Sequence, residues 1–66
     1  ATFNDGDTVN VSSRVDGNVT CDYLDNISGR IAYVKEAYDK GQEAFVVAQL
    51  GDEDGTFVPY EFLELA

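Results

Sequence analysis

The amino-acid sequence predicts one small all-β domain, and three features of the chain support this prediction. First, turn-forming clusters, most of them containing glycine, divide the chain into segments of roughly ten residues, a spacing typical of small barrels and sandwiches. Second, several of these segments alternate apolar and polar side chains or are dense in β-branched residues. Third, 66 residues are close to the minimum for an unaided hydrophobic core, so one domain is expected over 1–66.

The first part of the chain predicts a β-hairpin. Residues 8–15 open with alternation, with Val9 and Val11 on one face, and residues 18–24 alternate again. Asp16-Gly17 lies between the two segments, and such a pair favours a two-residue hairpin turn because both central positions need a positive φ angle.

The chain from residue 30 onward is predicted to form three more strands that are separated by turns. These strands are expected at 30–38, 43–50 and 56–58. Gly41 is expected to close the first of the turns in the left-handed region. Pro59 should end the last strand because it has no amide hydrogen to donate, and 60–63 should form one 3₁₀ turn.

The segment 28–40 leaves an alternative open. Apolar residues from Leu24 to Tyr38 are spaced three and four residues apart, as on one face of an amphipathic helix. Ser28 is a suitable N-cap for such a helix. Gly29 disfavours it by about 1 kcal/mol relative to alanine. A helix over 28–40 would give a ββαββ fold instead of an all-β one.

Alternation and position also predict which side chains form the core. Nine apolar residues are expected to be mostly buried: Val9, Val11, Ile31, Val34, Val46, Ala48, Leu50, Val58 and Leu63. Replacing Ile31 or Leu50 with alanine would then cost about 2–5 kcal/mol, the usual range for a buried aliphatic side chain.

Charge and residue types restrict the function. The chain has 13 acidic and 4 basic residues, a net charge of −9 at pH 7, which argues against direct binding to nucleic acid or to an anionic membrane. With no histidine and one cysteine, neither a zinc site nor a His-based catalytic triad is expected. We expect no cofactor, and we expect no enzyme activity because 66 residues leave no room for both a core and a cleft that buries a substrate. The absence of a signal-peptide pattern and the lone Cys21 favour the cytoplasm, or the host cytoplasm if the protein is viral.

Three segments together carry a resemblance to a known architecture. "FNDGDTVNV" looks like the start of SH3-like barrels, "GRIAYVKEAYDKG" is similar to their second strand and its hairpin, and "EAFVVAQLGDEDGTFVPYEFLEL" resembles their closing segment. The resemblance spans 3–65 and implies a small five-stranded SH3-like barrel, as in SH3, Tudor and KOW domains, without indicating one family among them.

The resemblance suggests few functional residues. SH3 domains bind proline-rich peptides in a groove that contains tryptophan, and this chain has none. Tudor domains enclose a methylated cation with aromatic residues, a cage that five residues here could supply: Tyr33, Tyr38, Phe45, Phe57 and Tyr60. The simpler interpretation is that these aromatic side chains pack in or around the core.

We expect a protein-interaction module that engages a basic protein surface or peptide. One alternative is a small acidic inhibitor, of viral or plasmid type, that mimics nucleic acid and occupies a host protein; another is a structural or assembly subunit. The expected binding patch combines two aromatic residues with acids from two turns: Tyr38, Phe57, Glu36, Asp39, Asp52, Glu53 and Asp54. These acids would otherwise serve only solubility, and the first hairpin, with Asp16, Asp22 and Tyr23, is the second choice of site.

Overall fold

The computed structural model describes residues 2–15, 19–20, 24 and 26–66, and regular structure in this part of the chain is nearly all β-strand. The strands are β1 (Thr8–Val11), β2 (Arg14–Val15), β3 (Val19–Thr20), β4 (Ile31–Tyr38), β5 (Glu43–Val47), β6 (Gly55–Pro59) and β7 (Leu63–Leu65). One 3₁₀ turn, Tyr60–Phe62, precedes β7. The all-β prediction and the expected 3₁₀ turn are confirmed.

The strands form one main antiparallel sheet. Its five strands lie in the order β6-β5-β4-β1-β7, and β2 pairs with β3 in a separate ladder. In the part of the chain that the structure describes, β6 and β7 are the two edges of the main sheet, which is open. The architecture is therefore compatible with the SH3-like resemblance, but closure into a barrel is not confirmed.

Strand β4, which covers most of the segment with helical spacing, contains one irregularity. Val34 pairs with Val46, whereas the next pair along the ladder is Glu36 with Phe45, so Lys35 is the additional residue of a β-bulge. The bulge shifts the alternation by one position, which puts Ala37 on the same side as Val34 although they are three residues apart. The helix predicted as an alternative over 28–40 is wrong, because Ile31–Tyr38 form a strand, and the apolar residues at helical spacing lie on both of its faces, with Val34 buried and Ile31 and Tyr38 exposed.

The core lies on one side of the sheet and contains mostly aliphatic side chains. Its buried members are Phe3, Val9, Val11, Leu24, Ala32, Val34, Ala44, Val46, Val58, Tyr60, Phe62 and Leu63. Six of the nine predicted core residues are in this set and are confirmed: Val9, Val11, Val34, Val46, Val58 and Leu63.

The other three core predictions are wrong. Ile31 is 53% exposed because it alternates with Ala32, which faces the core. Strand β5 ends at Val47 rather than at residue 50, so Ala48 and Leu50 belong to the following turn. Leu50 is consequently 74% exposed. An apolar run predicts a strand but does not show where the strand stops.

Two turn predictions also need correction. The turn between β4 and β5 lies where predicted, but its residue with positive φ is Gln42, at 53°, rather than Gly41. Ser12 and Ser13 separate β1 from β2, so the strand expected over 8–15 is two strands. The register Arg14–Thr20 and Val15–Val19 supports a first hairpin, while its Asp16-Gly17 turn lies outside the described residues.

Candidate functional site

The three-stranded part of the sheet, β4-β5-β6, has two faces of different character. Alternation along β5 directs Ala44 and Val46 into the core and Glu43, Phe45 and Val47 to the opposite side. Cross-strand register then assigns residues of β4 and β6 to that side. We call it the outer face: Tyr33, Glu36, Tyr38, Glu43, Phe45, Val47, Gly55, Phe57 and Pro59.

Three aromatic residues of the outer face lie in contact, and we call them the aromatic strip: Tyr38, Phe45 and Phe57. The ring centroids of Tyr38 and Phe57 are 5.9 Å apart, and those of Phe45 and Phe57 are 5.0 Å apart in an edge-to-face arrangement. Tyr38 is 39% exposed and Phe57 is 48% exposed. Aromatic side chains that are packed together and still reach solvent form a ready surface for a ligand.

Gly55 leaves room for the ring of Phe45, because it has no side chain where that ring lies. A Cβ atom at this position would meet the carbonyl oxygen of Val46 and two ring carbons of Phe45, the latter at 2.7 and 2.9 Å. Any larger residue would therefore displace the Phe45 ring or the backbone of β5. Because Phe45 is wedged over Gly55 and against Phe57, its ring is half-buried and its position is fixed.

Carboxylates surround the Tyr38 end of the aromatic strip. The pKa of Tyr38 is raised above its usual value, first by a hydrogen bond to Glu36, then by partial burial and by the charges of Glu36, Asp5 and Glu43. Glu43 is the cross-strand partner of Tyr38. Asp5 is held in place because its carboxylate accepts a hydrogen bond of 2.9 Å from the amide of Ala37. This end of the outer face is therefore strongly negative.

Asp39, a predicted site residue, has a structural partner. The hydroxyl of Tyr60 donates a hydrogen bond of 2.6 Å to its carboxylate, which ties the β4–β5 turn to the 3₁₀ turn. Burial and this hydrogen bond raise the pKa of Tyr60 to about 12. Tyr60 packs edge-to-face on Phe3 at 5.0 Å in the core, so it does not take part in an aromatic cage with Tyr38.

The acids of the β5–β6 turn lie away from Tyr38. The turns at 39–42 and 48–54 are at opposite ends of β5, whose four steps from Glu43 to Val47 alone cover about 13 Å at about 3.3 Å per residue. The expectation that both turns share one surface around Tyr38 is therefore wrong. Asp52 and Glu53 line a cleft on the outer face, whereas Asp54 lines a separate cleft that reaches the core residue Val46.

The structure thus brings together only part of the predicted patch. Tyr38, Phe57 and Glu36 meet on the outer face, and sequence reasoning missed Glu43 and Asp5 beside them. Glu43 could have been found from its alternation with Phe45 in β5, but the proximity of Asp5 depends on a long-range contact. The second choice of site, with Asp16, Asp22 and Tyr23, lies outside the described residues.

Over the described ranges, no three histidine, cysteine, aspartate or glutamate side chains are grouped so that they could hold a metal ion. No helix in that same part of the chain has the length and apolar character needed to cross a membrane. Comparison of the chain with protein-family models, with curated proteins and with solved structures finds no match.

Proposed function

We propose that this domain is a non-catalytic protein-interaction module that binds a basic segment of a partner protein on its outer face. One observation carries the proposal: Tyr38 and Phe57 are partly exposed and lie in contact, and Glu36, Glu43 and Asp5 lie close to Tyr38. An aromatic surface that is edged with one sign of charge has the composition of a binding patch for the opposite charge.

The physical contributions to such binding are modest individually and act together. A cation over an exposed aromatic ring gains about 0.5–1 kcal/mol. A charged hydrogen bond to Glu36 or Glu43 adds to this, and the net charge of −9 increases the rate at which a basic partner arrives. We therefore expect weak and salt-sensitive binding, as in a transient interaction.

We also propose a specific architecture and a cellular location for the domain. The order β6-β5-β4-β1-β7, with a 3₁₀ turn before the last strand, supports an SH3-like barrel as the architecture. We place the module in the cytoplasm, where a basic protein surface would be its partner and where the single thiol of Cys21 would stay reduced.

The test is an NMR titration of the labelled domain with a short arginine- and lysine-containing peptide, repeated with Tyr38→Ala and Phe57→Ala. Both side chains are partly exposed, so both variants should stay folded. We expect shift changes at Tyr38 and Phe57 and a loss of binding in both variants. Leu65→Ala is the matched control, because Leu65 is an exposed apolar residue on β7, away from the outer face.

The same titration separates the proposal from its alternative. A nucleic-acid mimic would bind its target through the spacing of carboxylates, without a need for aromatic contact. If Tyr38→Ala and Phe57→Ala bind the basic peptide as the parent does, while raised salt abolishes binding, the aromatic strip is not the site and the mimic becomes the better account.

A further inference from the structure

The outer face has acidic groups at both ends. Glu36 and Glu43 flank the aromatic strip at the end near the β4–β5 turn. Asp52 and Glu53 lie in the turn that follows β5, at the opposite end. The face is therefore negative at two separate places along the strand direction.

An apolar surface connects these two ends. Phe45 and Phe57 occupy the middle, and Val47 continues the row along β5. Val47 is 3% exposed although it belongs to the outer face and lies outside the core cluster. Tyr33, its cross-strand partner, is half-buried beside it. A ligand that crosses the face would contact Phe57 and the accessible parts of Phe45 and Tyr33, whereas Val47 is almost completely covered.

The far end contains a cleft that could receive a side chain. Its volume is about 200 Å³, and its apolar wall is formed by Tyr33, Val47 and Leu50. Asp52 and Glu53 are at its border, and so is Lys35, the residue added by the β-bulge. The aliphatic stem of a lysine or arginine suits an apolar wall, and its charged end suits the two carboxylates.

We infer that the segment bound by the outer face is extended and carries two cationic residues four positions apart, with an apolar residue midway between them. This inference rests on the proposed function and specifies its ligand. The first cation contacts Tyr38 with Glu36 and Glu43, and the second enters the cleft at Asp52 and Glu53. The apolar residue packs on Phe45 and Phe57.

The spacing follows from strand geometry. In an extended chain, residues i, i+2 and i+4 point to the same side, and four steps cover about 13 Å. The span of β5 from Glu43 to Val47 is also four steps. Two adjacent cations in an extended segment point to opposite sides and are only one step apart, so they cannot engage both ends of the face.

The test compares two peptides of identical composition and charge, Arg-Thr-Leu-Thr-Arg and Arg-Arg-Leu-Thr-Thr, each with neutral termini, in NMR titrations against the whole domain. The spaced peptide should bind about fivefold more tightly, the contribution of one additional exposed ion pair or cation–ring contact. It should also shift the amide of Gly51 as well as that of Tyr38. The clustered peptide should shift signals at only one end.

A second measurement uses a variant that changes the charge at the far cleft and keeps every proposed contact. Lys35→Gln deletes the competing positive charge at the far cleft and should strengthen binding of the spaced peptide by about threefold, with little change for the clustered one. Equal affinities for the two peptides would overturn the inference and leave the proposed function standing. Failure of both peptides to bind would overturn the proposed function itself, and the inference with it.

Discussion

The two faces of the sheet formed by β4, β5 and β6 differ in the size and the exposure of their side chains. On the core face, small aliphatic residues such as Ala44, Val46 and Val58 are at most 1% exposed. On the outer face, Tyr38 and Phe57 are larger, yet each keeps more than a third of its surface in solvent. The core accommodates other bulky aromatic residues, Phe3, Tyr60 and Phe62, so the exposure of Tyr38 and Phe57 does not follow from their size, and this contrast underlies our proposal that they bind a partner.

The largest effect on the free energy of unfolding should appear when a buried leucine is replaced with alanine, in comparison with the same replacement at an exposed leucine. Leu24 is fully buried and Leu50 is 74% exposed. Leu24→Ala should cost about 2–5 kcal/mol in the free energy of unfolding, enough to unfold much of the protein. Leu50→Ala should change it by less than about 0.5 kcal/mol. Urea denaturation followed by circular dichroism measures both, and similar losses would show that the exposure of Leu50 is wrong.

A second comparison tests the backbone under the aromatic strip. Gly55→Ala should destabilise the domain by about 1–3 kcal/mol, because the new Cβ collides with the carbonyl of Val46 and the ring of Phe45. Gly41→Ala is the matched control, since its Cβ would meet nothing closer than 3.5 Å. Thermal unfolding reports both. A Gly55→Ala variant as stable as the Gly41→Ala variant would contradict the close packing of Phe45 on β6.

These two comparisons also show what the sequence could and could not predict. Alternation identified Val9, Val11, Val46 and Val58 correctly because each lies in a regular stretch of strand. It failed at Ile31, which lies three residues before Val34 in a regular part of β4 and therefore faces the opposite side, while Ala32 faces the core. Alternation also could not predict that Ala37 faces the core, because the bulge at Lys35 is defined by pairing with β5, and pairing is a long-range property.

The same limit applies to the candidate site. Tyr38, Phe57 and Glu36 were predicted together because they lie near turns that bound neighbouring strands, and they do meet on one face. Which end of β5 each turn occupies follows from the direction of the chain through successive hairpins. The placement of Asp52 opposite to Tyr38 was therefore within reach of the sequence, whereas the approach of Asp5 to Ala37 was not.

A smaller effect should appear in the dependence of stability on pH, through the core residue Tyr60. The pKa of Tyr60 is raised to about 12 from 10.0, so the unfolded chain loses this proton before the folded one. The stabilisation is complete below about pH 10 and is lost as the pH rises towards 12. Tyr60→Phe should remove this loss, because phenylalanine has no proton to release. It should also cost some stability at neutral pH, since the hydrogen bond to Asp39 is gone.

Urea denaturation at neutral pH and at about pH 11 measures this effect in the parent and in the variant. Tyr33→Phe is the control, because it leaves the bond between Tyr60 and Asp39 in place and should keep the decline seen in the parent. If Tyr60→Phe declines in stability between the two pH values as steeply as the parent, the linkage does not come from Tyr60.

The smallest effect on stability should appear near Tyr38, where a substitution should change the pKa of the tyrosine and leave the free energy of unfolding almost unchanged. Glu36 is the largest cause of its raised pKa, through a hydrogen bond and through its charge. Glu36→Gln should therefore move the pKa of Tyr38 back towards its usual value, with little change in the unfolding free energy because both side chains are exposed. An NMR titration of the Tyr38 ring measures the pKa directly.

Glu64→Gln serves as the control for that titration. It removes the same charge from the chain, but Glu64 lies on β7 and is not among the groups that raise the pKa of Tyr38. The two variants should differ, with a lower pKa only in Glu36→Gln. Equal changes in both would mean that Tyr38 senses the net charge of −9 rather than its neighbours. In that case the outer face would have no negative patch of its own, and the binding of a basic segment there would lose its electrostatic basis.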